Sequence, residues 1–284
     1  MRGQSIGWPR QADAPRESEA IGGRLVGCAT SKPRKDEAVP ASAKVEGTTV
    51  SAPTPGAPES ARVRSMFDAI APRYDLLNHL LSMNLDHGWR RKAARAALSF
   101  GTVERVLDLC CGTGDLAIEL ARQSPAARVF GGDFSLAMLA RATRKAQRIP
   151  FSAADALHLP YRDAAFDAVT MAFGLRNLAD RALGLRELAR VLRPGGRAVI
   201  LEFVPPGRGL VGAAFRFYLH HVLPRIGRAI SGDVSAYTYL PQSMEKFPPP
   251  DALRAEFEVA GFEHTTATRM GLNGVVLVCA QRRP

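Results

Sequence analysis

The chain has 284 residues, 46% hydrophobic and 23% charged, with a formal net charge of +11 at pH 7; this is globular composition, and it excludes a collagen, a coiled coil and a wholly disordered polypeptide. No run of about 18 or more uncharged apolar residues occurs, so no transmembrane helix is expected, and the four cysteines (Cys28, Cys110, Cys111, Cys279) form no CxxC pair and no His/Cys cluster at metal-ligand spacing, which points to a reducing cytoplasm without disulfides or structural zinc. Residues 1–60 hold 8 basic and 7 acidic side chains, so nearly all the charge, +10, belongs to residues 61–284; a domain this basic is drawn to phosphate-rich surfaces, anionic lipid or nucleic acid, unless the excess is only a solvated face.

The first sixty residues contain seven prolines, and residues 41–61 are mostly Ala, Ser, Thr, Pro, Gly and Val. So little bulky apolar surface cannot offset ordering entropy, and a disordered extension over 1–60 is expected. Asp13, Glu17, Glu19, Asp36 and Glu37 are too many acids for a transit peptide. From Val63, helical spacing takes over through Met66, Phe67, Ile70 and Tyr74, then Leu76–Leu81 and Trp89–Leu98, so a helical cap over 61–100 opens a domain that runs to 284.

Apolar runs then alternate with helices. Strands are expected at Arg105–Cys110, Arg128–Gly132, Pro150–Ala153, Ala165–Ala172 and Ala198–Phe203, and helices at Asp115–Gln123, Leu136–Gln147 and Arg181–Leu192. Such alternation means a parallel sheet covered on both faces. An insertion over 205–248 holds an apolar, Arg-bearing stretch from Gly209 to Ile230. A last helix (Asp251–Ala260) and two close strands (Phe262–Thr268, Gly274–Ala280) predict an antiparallel hairpin at the sheet edge.

The first strand runs into Cys110-Cys111-Gly112-Thr113-Gly114-Asp115 and directly into a helix. Gly112 and Gly114 allow a tight turn and let a ligand approach main-chain amides at a helix N-terminus. With Ala117 they form a bare G-x-G-x-x-A, which alone fits a dinucleotide equally well. Asp108, four residues before Gly112, suits a ligand carrying an ammonium group and would repel a pyrophosphate. Asp133 ends the second strand 19 residues after Gly114, where an acid accepts from ribose hydroxyls. Asp155, followed by Ala156, adds an acceptor for an adenine amino group. The set resembles the class I methyltransferases, and the expected cofactor is S-adenosylmethionine. The fold class is therefore α/β, a Rossmann-like, mostly parallel sheet with an antiparallel edge hairpin. Cys110 and Cys111 have no activating base in view and read as small buried hydrophobes.

Four segments resemble the UbiE/MenG family of quinone-biosynthesis C-methyltransferases, and they span about 63–281. The first is Tyr74-Asp75-Leu76-Leu77-Asn78 with Ser82, Asp86 and Trp89; the second is Phe173-Gly174-Leu175-Arg176-Asn177 with Asp180. The third is Arg190 to Gly196 with Glu202-Phe203, and the fourth Tyr237-Thr238-Tyr239-Leu240-Pro241-Gln242-Ser243 with Phe247-Pro248. Leu77 replaces a usual Met, Asp86 stands where many members have His, and Val204 replaces a usual Ser or Thr.

The resemblance implies methyl transfer from S-adenosylmethionine to a ring carbon of a polyprenylated quinol, with demethylmenaquinol favoured over a methoxy-benzoquinol. It implies cofactor contacts at Thr113, Asp133, Asp155 and Ala156, and at Ala172, where some members place a hydroxyl. Deprotonating a phenol makes the adjacent ring carbon nucleophilic, so geometry and phenolate stabilisation suffice and no metal is expected. Arg176 is expected to stabilise the phenolate and Asn177 to orient the ring. Candidate bases are Asp86 or His87, then Tyr237 or Tyr239. The Gly209–Ile230 stretch is expected to line a prenyl slot or rest on an anionic membrane, giving a cytoplasmic, peripherally membrane-associated protein. Nucleic acid is not an expected partner, a homodimer is left open, and an RNA-associated protein on the same fold is the alternative from a different class.

Overall fold

In a computed structural model the described residues are 59–284 apart from 83, 208, 223–224, 226–234 and 272–273. All but the last two residues of the expected N-terminal extension lie outside them. Helices α1 (Glu59–Ile70), α2 (Tyr74–Leu81) and α3 (Asp86–Leu98) come first. Strands β1 (Arg105–Leu109), β2 (Arg128–Asp133), β3 (Phe151–Ala153), β4 (Phe166–Ala172) and β5 (Leu192–Phe203) alternate with α4 (Asp115–Gln123), α5 (Leu136–Lys145) and α6 (Arg181–Val191). Then follow α7 (Leu210–Phe217), a π-helical turn (Tyr218–Val222), α8 (Ser235–Glu245), α9 (Pro250–Val259), β6 (Phe262–Met270) and β7 (Val275–Arg282).

The seven strands form one sheet in the order β3-β2-β1-β4-β5-β7-β6. The first five pair in parallel, and β7 runs antiparallel to both β5 and β6. Strand period places Leu107, Leu109, Val169 and Ile200 on one face with α6 and α9, and Val106, Ala168, Val199 and Leu201 on the other with α3 and α4,. Both faces are thus dry, which is why the central strands read as apolar runs. Helix starts follow side-chain chemistry: Ser135 accepts from the Met138 amide at 3.1 Å and Asp180 from the Leu183 amide at 2.9 Å,.

Two elements differ from the sequence expectation. Strand β5 starts at Leu192 rather than Ala198, because Leu192 already pairs with Phe166; residues 193–196, with Gly195 at φ 75°, then bulge without strand partners before pairing resumes at Arg197,. Helix α8 was not anticipated, because Pro241 sits inside it and an internal proline reads as a breaker. Its Leu240 and Met244 are buried against Leu219, and that packing offsets the missing amide.

The switch point of the sheet lies where β1 separates β2 from β4. In doubly wound sheets ligands bind beyond the strand ends at that point, and the Gly112 turn emerges there.

Candidate active site

Strand β1 carries Asp108, which shares the α3/α4 face with Val106 two residues earlier,. Thr170, its register partner on β4, donates to Asp108 Oδ1 at 2.7 Å. The other carboxylate oxygen, Oδ2, is buried without a hydrogen-bond partner. Burial pushes the Asp108 carboxyl up to about 7,.

Beyond β1 the chain turns through Gly112 at φ 56° to Gly114 at φ 86°, which caps α4. Gly114 needs both its freedoms: the φ is left-handed, and a β-carbon there would lie 3.0 Å from the Phe151 ring,. Asp133, at the end of β2, accepts from the Gly112 amide and the Ser135 amide, each at 2.8 Å. It therefore ties the turn to the start of α5, and burial raises its pKa despite these bonds,.

The cap closes over this turn. Asp75 of α2 accepts a close hydrogen bond from Thr113 and a 2.9 Å ion pair from Lys145, while Asp68 of α1 accepts a close bond from Ser135. Beneath lies a cavity of about 370 Å³ lined by Gly112, Asp133, Asp155, Ala156, Ala172 and Asn177 together with Phe67, Tyr74, Phe134, Met138 and Phe173. Six residues named from the sequence thus meet at one wall-to-wall space, of a size that suits a small ligand. Gly114 and Thr113 shape the turn, and Thr113 and Asp108 line a smaller adjoining cavity that also reaches Tyr74, Gly112 and Ala172. Asp155 stands at the rim with its side chain 62% exposed, its Oδ1 accepting from the Leu157 amide at 2.9 Å.

Phe134, Met138 and the α1–α2 residues Phe67 and Tyr74 were missed as lining residues. An apolar side chain directly after Asp133 is a usable signal for an aromatic-ring slot. Nothing local marks Phe67, since it reaches the cavity only through packing of the cap.

These residues fit S-adenosylmethionine. The orphaned Asp108 oxygen is a ready acceptor for the ammonium group, Asp133 for ribose hydroxyls, and Phe134, Met138 and Ala156 offer an apolar slot for the adenine. A pH dependence follows. In the free protein Asp108 is protonated below about 7, and an ammonium ligand needs the carboxylate. Cofactor affinity is expected to weaken as pH falls from about 7.5 to 5.5, approaching tenfold per pH unit at the acid end. The cofactor-free protein shows the opposite sign: a raised pKa means the folded state holds a proton that the unfolded chain has lost, so this group's stabilisation is lost as pH rises through about 7,. Calorimetric titration across that range checks both, and Asp108→Asn is expected to abolish the step.

Arg176 and Asn177 follow β4 in a 3₁₀ turn. The Asn177 side chain donates to the Phe173 carbonyl at 3.1 Å and accepts from the Tyr239 hydroxyl at 2.9 Å, so its orientation in the cavity wall is set from α8. Arg176 is buried, with its guanidinium 2.8 Å from the fully buried Glu202. It lines a third, separate cavity of about 100 Å³ with Tyr239, Ser243 and Lys246. Tyr237 belongs to α8, but its side chain lies outside the described residues.

Asp86 and His87, expected as candidate bases, stand elsewhere. Asp86 is buried and accepts from Ser82 at 2.7 Å and, closely, from Arg90, with His79 Nδ1 3.0 Å away. Despite its burial, these partners hold its pKa below the usual carboxylate value, the wrong direction for a base. His87 is exposed and stacks on His79 at 4.3 Å; neither residue lines either cavity. His79, Asp86 and His87 place three ligand-type atoms within 4.8 Å, yet Asp86 is already engaged by three partners. The Cys110 and Cys111 thiols are pushed well above their ordinary value by burial and neighbouring carboxylates, which makes them poor nucleophiles.

Residues 57–280 match the model of the ubiE/COQ5 methyltransferase family. A demethylmenaquinone methyltransferase of Deinococcus radiodurans is 54% identical over 204 residues, 70% of this chain and 84% of that protein. One from Thermus thermophilus is 54% identical over 201 residues, 69% of this chain and 91% of that protein. A ubiquinone/menaquinone biosynthesis C-methyltransferase of Geobacter sulfurreducens is 46% identical over 211 residues, 72% of this chain and 82% of that protein. Among solved structures, the [4+2]-cyclase SpnF superposes with a TM-score of 0.58 at 22% identity, covering 80% of this chain and 98% of that one; at that identity the likeness speaks for the fold. Motifs, geometry and relatives agree: the chain belongs to the ubiE/COQ5 methyltransferase family.

Proposed function

We propose that the protein transfers a methyl group from S-adenosylmethionine to a ring carbon of a polyprenylated quinol, with demethylmenaquinol as the acceptor. The observation that supports this most is one apolar cavity at the switch point that gathers the Gly112 turn, Asp133, Asp155 and Asn177, in a chain 54% identical to relatives named for demethylmenaquinone methylation.

The cofactor would supply an electrophilic methyl group and leave as S-adenosylhomocysteine. The acceptor's phenolic proton leaves, the ring carbon of the phenolate takes the methyl, and the hydrogen at that carbon departs as a proton while the oxygen regains one, so that aromaticity returns with one proton released overall. In this reading the residues position and polarise. Asn177, locked by Tyr239, orients the ring. Arg176, which lines the neighbouring cavity with Tyr239 and whose Nε is buried without a hydrogen-bond partner, stabilises the phenolate. The Tyr239 hydroxyl already donates to Asn177, so Tyr237, acting as a tyrosinate, is the proposed acceptor of the phenolic proton in place of Asp86 and His87. No residue of this scheme requires a metal.

Among the described residues no helix is long and apolar enough to cross a membrane. The segment 205–248 is the proposed membrane-facing part: Leu210 of α7 is 90% exposed and Phe217 61%, with Arg216 and Arg225 exposed nearby. An apolar patch beside cations suits the interface of an anionic bilayer, where the isoprenoid acceptor resides. The protein is expected to cosediment with phosphatidylglycerol vesicles, to be released at about 1 M salt, where the screening length falls to about 3 Å, and to bind less as the L210S/F217S variant. Vesicle binding that ignores both salt and substitution would sink the membrane proposal.

The deciding assay offers labelled S-adenosylmethionine with chemically reduced demethylmenaquinol and methoxy-benzoquinol analogues in parallel. Label is expected in demethylmenaquinol. Label only in the benzoquinol would move the protein to the other branch, and label in neither, with the cofactor still bound, would refute the quinol acceptor.

A further inference from the structure

The smaller cavity beside the Gly112 turn has a charge pattern that the quinol reading does not use. Its lining includes Asp108, Asp115, Arg90, Tyr74 and Thr113, with the Arg90 guanidinium 3.7 Å from Asp115. Two buried carboxylate oxygens there, Asp108 Oδ2 and Asp115 Oδ2, have no hydrogen-bond partner. Arg90 is the one cation lining that cavity among the described residues. Its side chain is 7% exposed and lies over the Phe173 ring at 5.7 Å.

A cofactor whose amino-acid end enters this space presents an ammonium group and a carboxylate together. Asp108 answers the ammonium. A carboxylate set beside Asp108 and Asp115 needs a cation next to it; Lys145 engages Asp115, Asp75 and Thr113 but is not among the residues that line the space, whereas Arg90 is. We infer that Arg90 binds the carboxylate of the cofactor's amino-acid end, and that Asp86 is the positioning residue that aims it.

The hydrogen bonds give the division of labour. Arg90 Nη1 is held closely by Asp86, whereas Nη2 stands 3.7 Å from Asp115 Oδ2, beyond hydrogen-bonding reach, and faces the cavity. Asp86 is itself fixed by Ser82 and His79. One edge of the guanidinium is thus anchored in the α2–α3 junction, and the other, held only at ion-pair distance by Asp115, has donors left for a carboxylate, in the fork geometry that arginine provides. This places Asp86, buried and outside both cavities, in service of binding rather than proton transfer, and it links the cap to the cofactor through a charge as well as through Asp75 and Thr113.

The inference rests on S-adenosylmethionine as the cofactor and is independent of the acceptor. Equilibrium binding of S-adenosylmethionine and of its decarboxylated analogue, which keeps the amine and sulfonium, is measured by calorimetry on the full chain. The wild-type protein is expected to prefer the carboxylate-bearing ligand at least 20-fold. Arg90→Met is expected to weaken S-adenosylmethionine by at least 20-fold and the decarboxylated ligand by less than threefold. Arg90→Lys should restore part of that difference, and Asp86→Asn should fall between, again on the carboxylate-bearing ligand alone.

Equal losses for both ligands in R90M, or no preference in the wild-type protein, would overturn the assignment and leave Arg90 as a packing residue. If R90M does not fold, R90K carries the same two-ligand comparison, with a three- to tenfold selective loss expected. A wild-type protein that bound neither ligand would refute the cofactor reading itself, which is a distinguishable result.

Discussion

Replacing Glu202 with alanine is expected to destabilise the fold by about 3–5 kcal/mol, because it leaves a buried guanidinium without its counter-charge. Glu202 is fully buried and accepts from the Arg176 guanidinium at 2.8 Å, the Arg176 amide at 3.0 Å and the Phe203 amide at 2.8 Å. For a domain of this size the loss corresponds to a fall in melting temperature of about 6–20 °C. The double variant Glu202→Leu, Arg176→Met removes both charges and is expected to recover most of the stability, since well-packed apolar replacements of a buried pair are often neutral or better. It also separates two roles of Arg176. A stable double variant that binds the cofactor yet turns over poorly supports the phenolate role; one that retains full turnover makes Arg176 a structural cation only. Thermal and denaturant unfolding, calorimetric titration of the cofactor and a single-turnover assay supply the three readouts.

Asp133→Ala is expected to lower cofactor affinity by about 100- to 1000-fold, or about 3–4 kcal/mol. Asp133 is 5% exposed, and its two oxygens hold the Gly112 and Ser135 amides. Alanine leaves these amides without their acceptor, at about 1–3 kcal/mol each, and removes the acceptor for ribose hydroxyls. The turn is thereby loosened as well as stripped of a ligand contact. Asp133→Asn keeps one acceptor oxygen and should recover roughly a tenth to a third of wild-type affinity. An alanine variant within threefold of wild type in calorimetric titration would show that the ribose end is held elsewhere.

Both predictions concern residues whose identity was visible early but whose partners were not. Asp133 was legible as a site residue because its position at a strand end after a glycine turn is a local pattern. Glu202 was legible only as part of a motif, and its pairing with Arg176 across 26 positions joins β5 to the turn after β4. Arg176 itself shows why a reactive-looking residue needs its surroundings: near a sheet switch point an arginine suggests anion binding, and here most of its charge is already answered.

The periodicities of the chain by themselves determined the α/β layering and the antiparallel edge hairpin, and its local motifs picked out Asp108, Gly112, Gly114 and Asp133 as the frame of the proposed cofactor site. These depend on interactions over a few residues: strand and helix repeats, turn conformations open to glycine, and a carboxylate at a strand end. Only the tertiary structure decided which charges remain available. Asp86 looked like a base until Ser82, His79 and Arg90 converged on it, and α8 was concealed by Pro241 until packing of Leu240 and Met244 against Leu219 stabilised it. The closure of Phe67 and Tyr74 over the cavity, like the placing of Arg90 in the space that Asp108 lines, follows from packing the cap helices on the sheet. Burial and ion pairing are set by segments distant in the chain, and no local repeat encodes them.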